Sequence, residues 1–182
     1  MSNTNFIENY RPVCNLCCIE KVIEQYILNH LEKYLNDNNI LNTNLHGGRK
    51  KHSTQSAITE IYHHLLLNKE QKLTSVILAT DLSAAYDTID TDILINKMSH
   101  YGIRGEWSKL FRSFLSNRQQ FVRLDNKNSV IRNSVNCGTI QGSKMSGCLF
   151  NLYNNEIPLL ANLINSQIYD KMGGIKLNLK KI

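Results

Sequence analysis

Val76-Ile77-Leu78-Ala79-Thr80-Asp81-Leu82-Ser83-Ala84-Ala85-Tyr86-Asp87-Thr88-Ile89-Asp90 is the stretch that decides the fold. It continues an apolar run, Leu73 to Ala79, whose branched residues predict a buried strand. The strand delivers one carboxylate, Asp81, at its end. A charge there must be solvated, paired or bound to a cation, since burying it bare is very costly. A core strand also holds such a group still enough for chemistry. Taken alone, Asp81 can equally cap the helical turn that follows.

Outward from this stretch, the upstream segment predicts two amphipathic helices. From Ile19 an apolar stripe recurs at helical spacing: Val22, Ile23, Tyr26, Ile27, Leu31, Tyr34 and Leu35. Asn36-Asp37-Asn38-Asn39 supplies turn chemistry at its end. The second stripe, Ile58, Ile61, Tyr62, Leu65 and Leu66, follows Ser53 or Thr54 as cap. Between the helices lies His46-Gly47-Gly48-Arg49-Lys50-Lys51-His52, flexible and basic. Backbone amides and cations beside a helix start suit a phosphate, although a solvated charged turn reads the same way.

Downstream, a helix over Thr91–Tyr101 closes at Gly102. The next carries Trp107, Leu110, Phe111, Phe114 and Leu115 on one face, a spacing that predicts core rather than a base-stacking surface. Gln120–Leu124 and Val130–Val135 read as a hairpin around Asp125-Asn126-Lys127-Asn128. The loop Asn136–Ser143 sets two glycines around Gln141, and a last helix runs from Met145 through Leu149, Phe150 and Leu152. Ile175–Lys181 alternates as a strand or tail.

Composition narrows the classes. The 182 residues are 42% hydrophobic, enough for one core or two small lobes. A net charge of +6 favours a polyanionic partner such as nucleic acid. No apolar run reaches bilayer length and the N-terminus lacks a signal-peptide core, so an intracellular protein without a membrane partner is expected. Five cysteines at irregular spacing argue against a disulfide framework. Cys14-Asn15-Leu16-Cys17-Cys18 finds no second ligand pair that would complete a zinc site, so the cysteines are expected to pack as small hydrophobes.

Four blocks in order resemble the reverse transcriptase domain of non-LTR retrotransposons: Asn9–Val13, His46–Thr54, Val76–Asp90 and Gly138–Asn151. Tyr101–Gly105 through Leu115–Gln120 is also similar to that family. The resemblance implies an α/β fold, the fingers and partial palm of a right-hand polymerase, with helices on a small, largely antiparallel sheet. It implies a fingers-like segment over 1–72, a partial palm over 73–170 with 105–136 returning toward the fingers, and a tail over 171–182. The family's activity is RNA-templated DNA synthesis on an RNA template and DNA primer from deoxynucleoside triphosphates, with two Mg²⁺ ions.

Carried over residue by residue, the resemblance makes Asp81 the catalytic metal ligand, joined by the carbonyl of Leu82. Arg11, Arg49 and Lys50 would neutralise the triphosphate, and Tyr86 would lie beneath the sugar and exclude a 2′-hydroxyl. Gln141 and Gly142 would sit against the template and nascent base pair. Ile140 stands where the family usually has Pro, and Gly147 near another. The family's next motif bears paired aspartates, but no Asp-Asp occurs here and Asp170 is followed by Lys171. At most one Mg²⁺ is then well held. The expectation is a domain fragment ending before that motif and inactive by itself, its missing palm and thumb lying downstream or in trans. The alternatives are a non-catalytic nucleic-acid-binding remnant and a gene fragment without selected function.

Overall fold

The computed structural model describes residues 14–77, 79, 82, 85–124, 127–133 and 137–159. In chain order these hold α1 (Cys18–Asp37), α2 (Thr54–Glu70), α3 (Thr91–His100) and α4 (Glu106–Leu115). Four short strands follow: β1 (Gln119–Gln120), β2 (Arg123–Leu124), β3 (Lys127–Asn128) and β4 (Arg132–Asn133). The last element is α5 (Ser146–Tyr153).

Local chemistry sets the helix ends. Ser53 and Ser56 form a reciprocal capping box at α2: Ser56 N–H donates to Ser53 Oγ at 3.2 Å and Ser53 N–H to Ser56 Oγ at 2.9 Å. Asp90 caps α3 by accepting from Ile93 N–H at 2.9 Å. Gly102 follows α3 with φ +89°, the expected left-handed stop. Asn38 terminates α1, its side chain donating to the Tyr34 carbonyl at 2.8 Å.

The core lies among α1, α3, α4 and α5. Leu94, Met98, Leu149 and Leu152 are fully excluded from solvent, with Phe111, Leu115, Leu35, Ile89 and Met145 nearly so. Its composition departs from the expected stripes. On α1 the buried set is Glu24, Ile27, Leu28, Leu31 and Leu35, while Val22, Ile23 and Tyr26 face outward. The helix carries more apolar residues than one face can bury. Glu24 lies on the buried face and bonds inward just ahead of α5, as described below. On α2 only Ala57 is buried, and Ile58, Tyr62 and Leu66 remain exposed. On α4, Phe111 and Leu115 are core, but Trp107 and Leu110 stay half open.

The expected sheet is corrected. Among the described residues the sheet structure is a two-stranded ribbon, β1 antiparallel to β4 and β2 to β3. Gln119 faces Asn133 and Arg123 faces Asn128, so residues 129–131 oppose 121–122 and one extra residue bulges on the returning arm. Ser129 closes the bulge, its N–H donating to the Val122 carbonyl at 2.8 Å and its Oγ accepting from Val122 N–H at 2.9 Å. The run from Leu73 forms no strand at its described positions, and Leu73, Val76 and Ile77 are about half exposed. Strand backbone must be paired or hydrated, and no described segment pairs this one. It stays in water.

Candidate nucleotide and nucleic-acid site

Two segments far apart in sequence close on each other ahead of α5. Gly138 N–H donates to the Ile89 carbonyl at 2.6 Å, and Thr139 N–H to the Tyr86 carbonyl at 2.8 Å. Asp90 and Cys137 form an isolated antiparallel bridge beside them. Gly138 is required at this crossing. Its φ is +82°, and a Cβ would stand 3.0 Å from Asp87 Cα and 3.2 Å from the Tyr86 carbonyl oxygen. The turn carrying Tyr86 and the loop carrying Gln141 thereby become one unit.

Side chains fasten that unit from several directions. Gln141 Nε2 donates to both oxygens of Asp87 at 3.0 Å each. Arg118, just past α4, donates to the carbonyls of Gly138 at 2.7 Å, Cys137 at 3.3 Å and Leu115 at 3.1 Å. Partial burial lowers the Arg118 pKa from its usual value, opposed by the nearby Cys14 and Cys137 sulfurs. Cys14 N–H donates to the Gln141 carbonyl at 3.3 Å. From α1, the buried Glu24 carboxylate accepts from Lys144 N–H at 2.9 Å. The Met145 side chain makes no capping bond at α5, and Glu24 supplies an anionic acceptor close to that helix start.

Over α5, the Tyr86 ring leans on Phe150, centroids 5.1 Å apart, and remains 41% exposed. It is both packed and available. Further along, the basic loop rests on the same helix. Gly48, at φ +60°, comes so close that a Cβ would lie 3.3 Å from Gly147 Cα. Asn151 Nδ2 donates to the Gly47 carbonyl at 2.6 Å. Just past the helix, Asn155 accepts from Asn42 N–H and donates to the Ile40 carbonyl, both at 2.8 Å. Arg49 Nη1 turns back to the Asn42 carbonyl at 3.0 Å, and Lys50 Nζ pairs with Glu32 of α1 at 2.7 Å. Burial, with Glu32 adding, pushes the adjacent Cys148 thiol up to about 12.

Tyr86, Gln141 and Gly142 are therefore brought together, and Arg49 and Lys50 stand on a loop seated on the same helix. Leu82, four residues before Tyr86, is exposed. Asp81, Arg11 and Asp170 lie outside the described residues. Three of the five cysteines, Cys17, Cys18 and Cys137, are exposed, so the expectation of packed cysteines holds fully for Cys148 alone. Arg118, Glu24, Asn151 and Asn155 were not singled out from the sequence. Arg118 lies in the family-like stretch Leu115–Gln120 and Asn151 ends the block Gly138–Asn151, but neither resemblance assigns the residue a role, and Asn155 lies past the last expected helix.

The family model for "Reverse transcriptase (RNA-dependent DNA polymerase)" matches residues 2–169. The chain belongs to the reverse transcriptase family. This reverse transcriptase segment is also 27% identical over 157 residues to the "Probable RNA-directed DNA polymerase from transposon BS" of Drosophila melanogaster. The match covers 83% of the chain and 16% of that relative. No solved structure matches it at a significant level. It is a reverse transcriptase domain segment of retroelement type.

Reverse transcriptases bind template nucleic acid and nucleotides and work with divalent metal ions. Among the described residues the donors do not fit such an ion. No group of three His, Cys, Asp or Glu side chains converges. Asp87 is held by the Gln141 amide, and Asp90 is spent on the α3 cap. No helix among the described residues is long and apolar enough to cross a membrane.

Proposed function

We propose that this chain is the fingers and partial palm of a retroelement reverse transcriptase, binding RNA template, DNA primer and deoxynucleoside triphosphate without polymerising by itself. The observation that carries the reading is the closure of the Tyr86–Asp90 turn on the Gly138–Ser143 loop. That closure seats an exposed aromatic and a Gln-Gly turn side by side at the head of α5. In this reading the exposed Tyr86 ring lies beneath the sugar and disfavours a 2′-hydroxyl. Gln141 and Gly142 face the nascent base pair, where a glycine permits close backbone approach. Arg11, Arg49 and Lys50 neutralise the triphosphate, with arginine able to engage two oxygens at once.

Inactivity of the chain alone follows from its carboxylates. Asp81 and the Leu82 carbonyl are the one proposed anchor for Mg²⁺. The 182 residues contain no adjacent aspartate pair, and Asp87 and Asp90 are engaged by protein donors. The fingers-like segment 1–72 and palm-like segment 73–170 are completed, on this reading, by polypeptide outside this chain. Primer extension on an RNA template with Mg²⁺ or Mn²⁺ tests the proposal, with Asp81→Ala as contamination control. Hybrid binding without extension is the expected result. Extension that disappears in Asp81→Ala would overturn the claim of inactivity, and absence of any hybrid binding would overturn the reading itself.

A further inference from the structure

Gly147, Asn151 and Asn155 recur every fourth residue, which aligns Gly147 and Asn151 on one side of α5 with Asn155 just beyond its end. Every bond this line makes to the basic loop and to the stretch leading into it is to backbone: the Gly47 carbonyl within the loop, and the Ile40 carbonyl and the Asn42 N–H ahead of it, with Gly48 in close approach to Gly147. Asn151 and Asn155 are 5% and 7% exposed. Buried amides with satisfied partners hold one geometry, because any other leaves a polar group unpaired in a low-dielectric interior. The attachment passes to the cations through residue 42. Its N–H is fixed by Asn155, and its carbonyl receives the Arg49 guanidinium. That bond leaves further N–H donors on Arg49.

We infer that the Gly147–Asn151–Asn155 line is a positioning element for nucleotide phosphate. It fixes the loop backbone so that Arg49 and Lys50 present their charge in a set relation to Tyr86, whose ring rests on Phe150 of the same helix. The inference rests on the reading that Arg49 and Lys50 meet the triphosphate. It adds that the asparagines, which touch no ligand, govern the affinity for it. α5 then carries the sugar-facing ring and the phosphate-facing loop on one rigid body, so their spacing is set by helix geometry rather than by loop flexibility.

The experiment is equilibrium binding of dATP, and separately of inorganic tripolyphosphate, to the full chain. The variants are Asn151→Ala, Arg49→Ala/Lys50→Ala, and all three substitutions together. Asn151→Ala should weaken both probes by about three- to tenfold, the effect of one lost buried hydrogen bond. It should weaken neither further once Arg49 and Lys50 are already Ala. A purely structural asparagine would lower the melting temperature and leave dATP affinity unchanged at temperatures where the chain stays folded. Gly48→Ala leaves α5 intact and pushes the loop off Gly147 from the other side, so it tests the same contact if Asn151→Ala fails to fold. Should Asn151→Ala and Gly48→Ala bind dATP normally while Arg49→Ala/Lys50→Ala does not, the triphosphate reading stands and this inference falls. An additional loss in the triple variant would also overturn it, by placing Asn151 in a different role. If Arg49→Ala/Lys50→Ala binds dATP normally, or the unaltered chain binds none, the underlying reading and the inference fall together.

Discussion

Substituting Gly138 tests whether the Tyr86 turn and the Gln141 loop form one unit. In Gly138→Ala a non-glycine residue must hold φ +82°, a left-handed conformation that costs about 1–2 kcal/mol. The new Cβ also meets Asp87 Cα at 3.0 Å and the Asp87 oxygen at 3.1 Å. These are backbone atoms that cannot swing aside, so relief requires parting the segments, at about 1–3 kcal/mol for comparable overpacking. The reduced freedom of the unfolded chain returns about 0.4–1 kcal/mol. The net loss is about 1–5 kcal/mol, a large fraction of a typical domain's stability. Urea unfolding followed by the emission of Trp107, the single tryptophan, measures it. Gly47→Ala is the control, with open space around it and no positive φ, and should stay within about 0.5 kcal/mol of the unaltered chain. If Gly138→Ala is equally mild, the two segments do not cross as described.

Arg118→Ala removes a charged donor from the Gly138 and Cys137 carbonyls and should destabilise by about 1.5–3 kcal/mol in the same urea assay. Arg118→Lys should recover little of this, since a single ammonium cannot reproduce the fork. Arg49→Ala/Lys50→Ala should weaken binding to an RNA–DNA hybrid and flatten its log–log salt dependence by about one unit per cation lost. An unchanged slope would return the loop to a solvated surface. With its thiol pushed up to about 12, Cys148 should resist a thiol reagent in the native chain while Cys17, Cys18 and Cys137 react, all five being reactive in denaturant. Because the folded pKa exceeds the ordinary 9.0, both states keep the proton below that pH. From there to about 12 only the unfolded chain loses it, so stability falls as pH rises. Cys148→Ala should lack that part of the decline.

What could be read in advance was local. Asp90 and Gly102 bound α3 through bonds within a few residues, and the hairpin follows from a polar stretch between two β-prone arms, although Lys127 and Asn128, expected in its turn, pair as β3. The motif residues Tyr86 and Gln141 were placed in a common site by resemblance, although their link through Asp87 spans 54 residues and no periodicity reveals it. The same distance in sequence hid the clamps. Nothing near Arg118 announces that it closes on Gly138, and Glu24 sits among apolar residues that outvote it in any pattern. The described positions of the Leu73–Ala79 run form no strand for a related reason. Branched residues state a preference for strand, but whether a strand forms depends on a neighbour with free backbone groups.

Among the described residues α2 buries little beyond Ala57, and it should open independently of the core. Its attachments include the burial of Ala57 and the His46 ring, which hydrogen-bonds Ser56 Oγ and Glu60 Oε2, each at 2.9 Å. α3 and α5, by contrast, each bury residues with no accessible surface. Amide protons of α2 should therefore exchange with solvent through a local opening far cheaper than global unfolding, while those of α3 and α5 wait for the whole core. In deuterated solvent the segment from Thr54 to Glu70 would lose its protons first, and a limiting protease would find the same segment before any other helix.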